Sequence, residues 1–251
     1  MGHILRVFHS TEIGGAVPAD RHDIRAGLQH GLLLTFRNGR PVLPSRSWRA
    51  SLRDAVKRAI DVVGAAGALL ALAPTLVVLA VAVKLTSPGT VLFAQWRTGR
   101  NGVPFRIYKF RTMFQNAADP TGLRQVTAGD PGVTPLGRFL RARSLDELPQ
   151  LFNVLRGDMS LIGPRPHAIG MKAAGMPYQE LVPYYEFRHV VRPGLSGWAQ
   201  ANGLRGPTET AQVARSRIEH DLAYIQNQSI GLDIKVIWMT VKGEFLSGSG
   251  C

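Results

Sequence analysis

"VVGAAGALLALAPTLVVLAVAV", Val62 to Val83, runs for 22 residues without a charged side chain. As one straight helix it is about 33 Å long, close to the hydrocarbon thickness of a bilayer. A buried helix of a soluble protein rarely stays apolar on every face over that length. Two kinds of membrane segment fit: a plain single span, and a helix that enters and returns. Two features favour the second. Pro74 lies near the middle, where it removes a helical hydrogen bond and forces a bend or break. Basic residues also stand on both flanks, Arg53, Lys57 and Arg58 before, and Lys84, Arg97, Arg100, Arg106, Lys109 and Arg111 after. Basic flanks belong on the cytoplasmic side, and only a returning segment puts both there. The expectation is a re-entrant helical hairpin over 53–86, bent at Pro74.

The rest of the chain is ordinary in bulk and lopsided in charge. It has 251 residues, 45% hydrophobic and 19% charged, with 30 Lys and Arg against 17 Asp and Glu, a formal +13. That composition excludes a disordered polyelectrolyte and allows a sizeable core. The excess positive charge calls for an anionic partner, whether nucleic acid, phosphorylated small molecules or an anionic membrane face. The single cysteine, Cys251, excludes an internal disulfide. The first thirty residues carry charges throughout and no apolar stretch of the secretory kind.

Residues 1–52 are Arg-rich and broken by Gly and Pro, and are expected to form a poorly ordered basic arm, with one hairpin signal where "GLLLTF" meets the "NGRP" turn. Residues 87–246 read as a compact α+β module. "TVLFAQ" and "FRIYKFRTM" have strand composition. Ser144–Leu155 reads as a helix with Leu148, Leu151, Phe152 and Leu155 on one stripe. A second helix is expected from a Thr208 cap to about Gln226. Near the C-terminus Ile234, Ile237, Trp238, Val241 and Phe245 recur at helical spacing beside Lys235 and Lys242, a pattern that suits a membrane interface and equally an ordinary packed helix. Residues 247–251 form a tail.

The chemistry-bearing stretch is "SLDELPQLFNVLRGDMSLIGPRP", Ser144 to Pro166. Its start has an ordinary explanation. Ser144 and Glu147 have capping-box spacing, Pro149 suits a first turn, and acidic residues there suit the helix dipole. The surroundings ask for more. Asp146 and Glu147 are consecutive, so on a helix their side chains diverge by about 100° and can divide labour, one attacking and one holding a cation. "GPRP" presents Arg165, and "VRPGLSGWAQANG" presents Arg192, each on backbone stiffened by Pro and Gly. Paired guanidinium donors are what a diphosphate needs. No Walker A loop, dinucleotide fingerprint, zinc spacing or nucleophile elbow is present.

These stretches together resemble the bacterial sugar transferase family, the monotopic phosphoglycosyl transferases that act on polyprenyl phosphate. The matching segments are "KRAIDVV", "SPGTVLFAQWRTGRNG", "FRIYKFRTM", "RSLDELPQLFNVLRGDMSLIGPRP", "RHVVRPGLSGWAQANG" and "DLAYIQNQSIGLDIKVIWMT", covering about residues 55 to 245. One departure is at the hairpin bend, where the family often has Ser-Pro and this chain has Ala73-Pro74.

The resemblance implies a membrane-anchored α+β enzyme of the minimal catalytic size, with interfacial amphipathic helices, on the cytoplasmic face of the bacterial inner membrane. It implies that Asp146 is the nucleophile, that Glu147 binds Mg²⁺, and that Asp221 is a further active-site acid. Arg165 and Arg192, with Lys109 and Arg111, are expected to hold the UDP-sugar. The implied reaction moves a sugar 1-phosphate to undecaprenyl phosphate and releases UMP. Wording around "GLRGPTET" is most similar to the subgroup making rhizobial-type exopolysaccharides, which transfers galactose 1-phosphate; glucose is the other candidate sugar. Membrane lipids are expected partners and a homodimer is allowed. The rival reading, a membrane-tethered nucleic-acid-binding protein, needs basic residues gathered on a groove-fitting helix, and none is visible.

Overall fold

The computed structural model describes residues 23–27, 31–45, 47–117, 119 and 129–247. The chain begins with three antiparallel strands, β1 (Asp23–Gly27), β2 (Leu32–Arg37) and β3 (Arg40–Pro41). Phe36 pairs with Asp23 on one side of β2 and with Pro41 on the other. The hairpin expected at "NGRP" is the β2–β3 turn, with Asn38 and Gly39 both at positive φ, as a tight hairpin requires.

This sheet corrects the reading of 1–52 as a poorly ordered arm. Leu34 and Phe36 are buried in the main core. Gln226 fastens the sheet from the other side, its amide accepting from Thr35 N at 2.8 Å and donating to Thr35 O at 2.9 Å. The expected arm also overlaps the next helix, which starts at Trp48. Residues 1–22 lie outside the described residues.

The helix α1 (Trp48–Thr86) is continuous through Pro74. Its Ala50–Thr86 portion is long and apolar enough to cross a membrane. One face is bare, with Val63, Leu70, Val77, Val78 and Leu85 more than 60% exposed. The other face packs on the module at two places, one on each side of Pro74. Ala65 sits with Phe105, Ile107, Leu151 and Val154, whereas Leu79 and Val83 sit with Phe110 and Leu140. Both halves of the apolar segment therefore rest on one short strand and its neighbours.

Polar ties fasten the same two ends. Lys57 Nζ is 2.8 Å from Asp233 Oδ2. Arg58 donates to the carbonyls of Val154 and Leu155 at 2.6 and 2.9 Å. Asp61 accepts from Leu161 N at 3.0 Å. The "KRAIDVV" charges thus lie at i, i+1 and i+4 to grip three separate parts of the module. At the other end Arg111 donates to Pro88 O at 2.6 Å, Ser87 O at 2.6 Å, Ser87 Oγ at 3.0 Å and Val83 O at 3.4 Å. These include carbonyls that a helix end leaves without intrahelical partners.

The two expected strands form an antiparallel hairpin, β4 (Leu92–Thr98) and β5 (Pro104–Phe110). Next come α2 (Pro135–Ala142), capped by Thr134, a 3-10 turn over Leu145–Glu147, and α3 (Gln150–Arg156). The single helix expected over 144–155 is thus two pieces. Ser144 is left-handed (φ 51) and its side chain does not cap, so the capping box is not formed. Gly157 (φ 94) closes α3, where a side chain would be strained.

Strand β6 (Ser160–Ile162) comes next, followed by β7 (Lys172–Ala173), β8 (Met176–Pro177), α4 (Tyr178–Leu181) and a 3-10 segment over Tyr185–Val190. Strand β9 (Gly194–Ser196) runs parallel to β6 and leads into α5 (Trp198–Ala201). The helix α6 (Ala211–Gln226) starts at a Thr210 cap, two residues beyond the expected Thr208. Thr208 is instead buried, bonded by Tyr178 and Arg217. The last helix, α7 (Ile230–Ser247), is packed on one side and bare on the other. Leu232 and Val236 enter the core, while Ile234, Ile237, Trp238 and Val241 stay exposed.

Candidate active site

The site is built by β5, the 3-10 turn and the loop after β6. Asn153 on α3 sets the first spacing by acting as a strand partner for β5. Its amide donates to Arg106 O at 2.7 Å and accepts from Tyr108 N at 3.1 Å. That contact brings Lys109, the next residue of β5, to Glu147, with Nζ 2.7 Å from Oε1.

"GPRP" and "VRPGLSGW" are neighbours in space because β6 and β9 pair. Ser160 N donates to Pro193 O, Gly163 N to Ser196 O and Gly194 N to Pro164 O, all at 2.8–2.9 Å. A Cβ on Gly194 would come within 2.1 Å of Gly163 N. The glycines of the two motifs therefore allow backbone to lie on backbone.

From that loop Arg165 reaches Glu147 with both terminal nitrogens, one of them 3.1 Å from Oε2. Glu147 is thus held by Lys109 and Arg165 together. Burial opposes its ionisation, but the charges and hydrogen bonds of Arg165 and Lys109 outweigh that and hold it well below the usual carboxylate range.

Asp146 is the opposite case. It is 7% exposed and has no hydrogen bond or ion pair among the described residues. Burial pushes its pKa up, and neighbouring Glu147 adds to that; Lys109, Arg141 and Arg165 pull the other way without cancelling it. Two adjacent carboxylates thus occupy opposite electrostatic states.

Three expected residues are placed elsewhere. Arg111 is buried at the end of α1, with its donors on that helix's terminal groups and away from the Asp146–Glu147 pair. Arg192 donates from Nε to Gly157 O at 3.0 Å and lines a separate cavity against α1. It forms no joint clamp with Arg165. Asp221 does not meet the Asp146–Glu147 pair. It is 2% exposed and paired with Arg188, at 3.0 Å to Nε and 2.7 Å to Nη2. Arg188 Nη2 also donates to Arg165 O at 2.6 Å, so Asp221 reaches the site only through Arg188 and the Arg165 backbone.

Sequence reasoning missed Arg188, and read Arg97 only as flanking charge. Arg97 donates to Pro166 O at 3.3 Å while Thr98 N donates to His167 O at 3.1 Å, tying the loop to β4. Burial and nearby Arg165 lower the Arg97 pKa to about 10. His167, behind the loop, stacks among Tyr178 and Tyr185 and is held neutral, chiefly by burial and then by Arg188. The one available signal for Arg188 was its place in "RHVVRP", beside Arg192.

The family model for the bacterial sugar transferases matches residues 52–247. The chain belongs to the bacterial sugar transferase family. It is 50% identical over 195 residues to the exopolysaccharide production protein PSS of Rhizobium leguminosarum bv. phaseoli, covering 78% of this chain and 98% of that one. It is 50% identical over 191 residues to the undecaprenyl-phosphate glucose phosphotransferase of Komagataeibacter xylinus, covering 76% of this chain. It is also 46% identical over 211 residues to the UDP-glucose:undecaprenyl-phosphate glucose-1-phosphate transferase of Escherichia coli K12, covering 84% of this chain. The matches span 36% and 45% of the length of those last two relatives. Strands β1–β3 lie outside the family match.

Carboxylates that could hold a metal are few. Among the described residues no group of three or more His, Cys, Asp or Glu side chains converges. The Asp146–Glu147 pair therefore does not make a resident metal site by itself. It fits a cation that arrives with most of its ligands, as Mg²⁺ does with a diphosphate and water.

Proposed function

We propose that the protein transfers a sugar 1-phosphate from a UDP-sugar to undecaprenyl phosphate at the cytoplasmic face of a membrane, through a covalent Asp146 intermediate. The observation that carries the mechanism is the division between the two carboxylates. Glu147 is bound by two cations, whereas Asp146 is buried, unbonded and of raised basicity. An unpaired basic carboxylate beside cations is suited to attack phosphorus.

In the first step an Asp146 oxygen bonds to the sugar-bearing phosphorus and the bond to the UMP oxygen breaks, giving an acyl phosphate and UMP. In the second, an oxygen of the lipid phosphate bonds to the same phosphorus and the Asp146 carboxylate leaves. Lys109 and Arg165 bind the diphosphate as they now bind Glu147, and Arg165 is held in place from behind by Arg188. Glu147 would hold an Mg²⁺ ion brought by the nucleotide, which would offset diphosphate charge that otherwise repels Asp146.

The membrane seat rests on α1. Its bare apolar face needs lipid, and both of its ends are fastened to the same module, by Lys57 and Arg58 at one and Arg111 at the other. A module holding both ends lies on one side of the bilayer. That supports a re-entrant arrangement, with the exposed Ile237 and Trp238 of α7 at the interface. Relatives named for glucose favour UDP-glucose as donor, with UDP-galactose the second candidate from the sequence.

The deciding experiment is mass analysis after incubation with UDP-sugar and Mg²⁺ but no lipid. The expected result is one phosphosugar on the peptide containing Asp146, with stoichiometric UMP. Normal turnover with lipid but no adduct without it means direct transfer.

A further inference from the structure

Glu147 draws two cations onto one carboxylate. Lys109 Nζ lies 2.7 Å from its Oε1, Arg165 Nη1 lies 3.1 Å from its Oε2, and Arg165 Nη2 is bonded to Oε1. All three side chains are partly buried, at 14% exposure for Glu147, 20% for Lys109 and 33% for Arg165. A forked guanidinium and an ammonium on two oxygens are also what binds a phosphate group. The carboxylate of Glu147 thus stands where the charge of a phosphate has to go.

The backbones that carry the two cations are fixed. Lys109 sits on β5, whose register against α3 is set by Asn153. The Arg165 loop is held at four successive carbonyls. Pro164 O accepts from Gly194 N at 2.9 Å, Arg165 O from Arg188 at 2.6 Å, Pro166 O from Arg97 at 3.3 Å and His167 O from Thr98 N at 3.1 Å. Glu147 itself ends a 3-10 turn between α2 and α3. Rotation of its side chain therefore leaves Lys109 and Arg165 close together, with their donors free for another anion.

A diphosphate arriving alone meets a carboxylate between the two groups it needs, and like charges in contact repel strongly in a partly buried place. A divalent cation reverses that encounter, because Glu147 and the phosphate oxygens can then share the ion while Lys109 and Arg165 turn to the remaining oxygens. We propose that Glu147 is a specificity residue that stands in for the diphosphate on Lys109 and Arg165, so that the site admits the donor as its metal complex and turns away metal-free anions. The inference rests on the reading of Lys109 and Arg165 as donor-binding groups, and on no particular sugar. It gives one carboxylate two opposite effects, as a ligand when the cation is present and as a competitor when it is not.

The test is calorimetric titration of the full chain in neutral detergent with UDP, which carries the diphosphate and no sugar, in EDTA and in Mg²⁺. Wild type should bind UDP about tenfold or more tightly in Mg²⁺ than in EDTA. Glu147→Gln should bind about tenfold or more tightly than wild type in EDTA, and should gain little from Mg²⁺. Glu147→Asp keeps the charge on a side chain one methylene shorter, which loosens its hold on the two cations. It should show a smaller gain in EDTA, and it carries the test if Glu147→Gln does not fold. Binding in EDTA no tighter in either variant than in wild type overturns the stand-in. A Mg²⁺ gain in Glu147→Gln equal to that of wild type overturns the selection for the metal complex. Arg165→Gln should weaken UDP binding in Mg²⁺, and unchanged binding there overturns the donor-binding reading instead.

Discussion

Arg188 and Asp221 form an ion pair whose side chains are 1% and 2% exposed, 2.7 Å apart at the closest. The same Arg188 nitrogen holds the carbonyl of Arg165. Truncating one member leaves a buried charge without its partner, which costs about 3–5 kcal/mol. Arg188→Met should therefore lower the melting temperature sharply. Arg188→Met/Asp221→Leu should recover most of it, because a matched apolar pair is often no less stable. The double variant still lacks the bond to Arg165, so its KM for UDP-sugar should remain raised. Recovery of KM along with stability would make the pair purely structural.

Asp146 and Glu147 should respond oppositely to neutralisation. The Asp146 pKa is raised in the folded protein, so its ionised form opposes folding at neutral pH. Asp146→Asn should raise the melting temperature there while abolishing turnover. The gain should shrink as pH falls through the raised value and vanish below the ordinary Asp range, where both states are protonated. The Glu147 pKa is depressed, so its contribution is present above the ordinary Glu range and is lost in acid. Glu147→Gln should thus destabilise at pH 7 and make little difference at low pH. Melting curves at several pH values distinguish the two.

Arg165→Lys keeps the charge and loses the planar fork that reaches both Glu147 oxygens. Activity should fall on the order of tenfold, equivalent to about 1.4 kcal/mol. A lysine variant close to wild type would reduce Arg165 to a general positive field.

Arg111→Gln tests the anchor against the substrate role. Losing its bonds to the end of α1 leaves buried carbonyls short of donors, at about 1–3 kcal/mol. Thermal stability should drop while KM for UDP-sugar stays unchanged in protein that remains folded. A raised KM with unchanged stability would return Arg111 to the substrate.

Topology is tested by single cysteines near Arg53 and near Arg97 in a Cys251→Ser background. In intact cells both should resist a membrane-impermeant thiol reagent. Labelling of the first alone would establish a straight span.

The sequence by itself carried whatever is periodic or local. The apolarity of α1, the two strands of the β4–β5 hairpin and the Asp146–Glu147 pair were all readable within a few turns of chain. Tertiary structure decided the partners. Lys109, Arg111, Arg165 and Arg192 look alike as basic residues in the sequence, yet two meet at Glu147, one caps a helix 24 residues away at Ser87, and one faces a different cavity. A guanidinium or ammonium group has a long reach and no period, so its partner depends on which backbone segments the core brings together. The same reason hid β2 in an apparent arm: burying Leu34 and Phe36 and pairing Thr35 with Gln226, 191 residues on, is a long-range event that no local pattern announces.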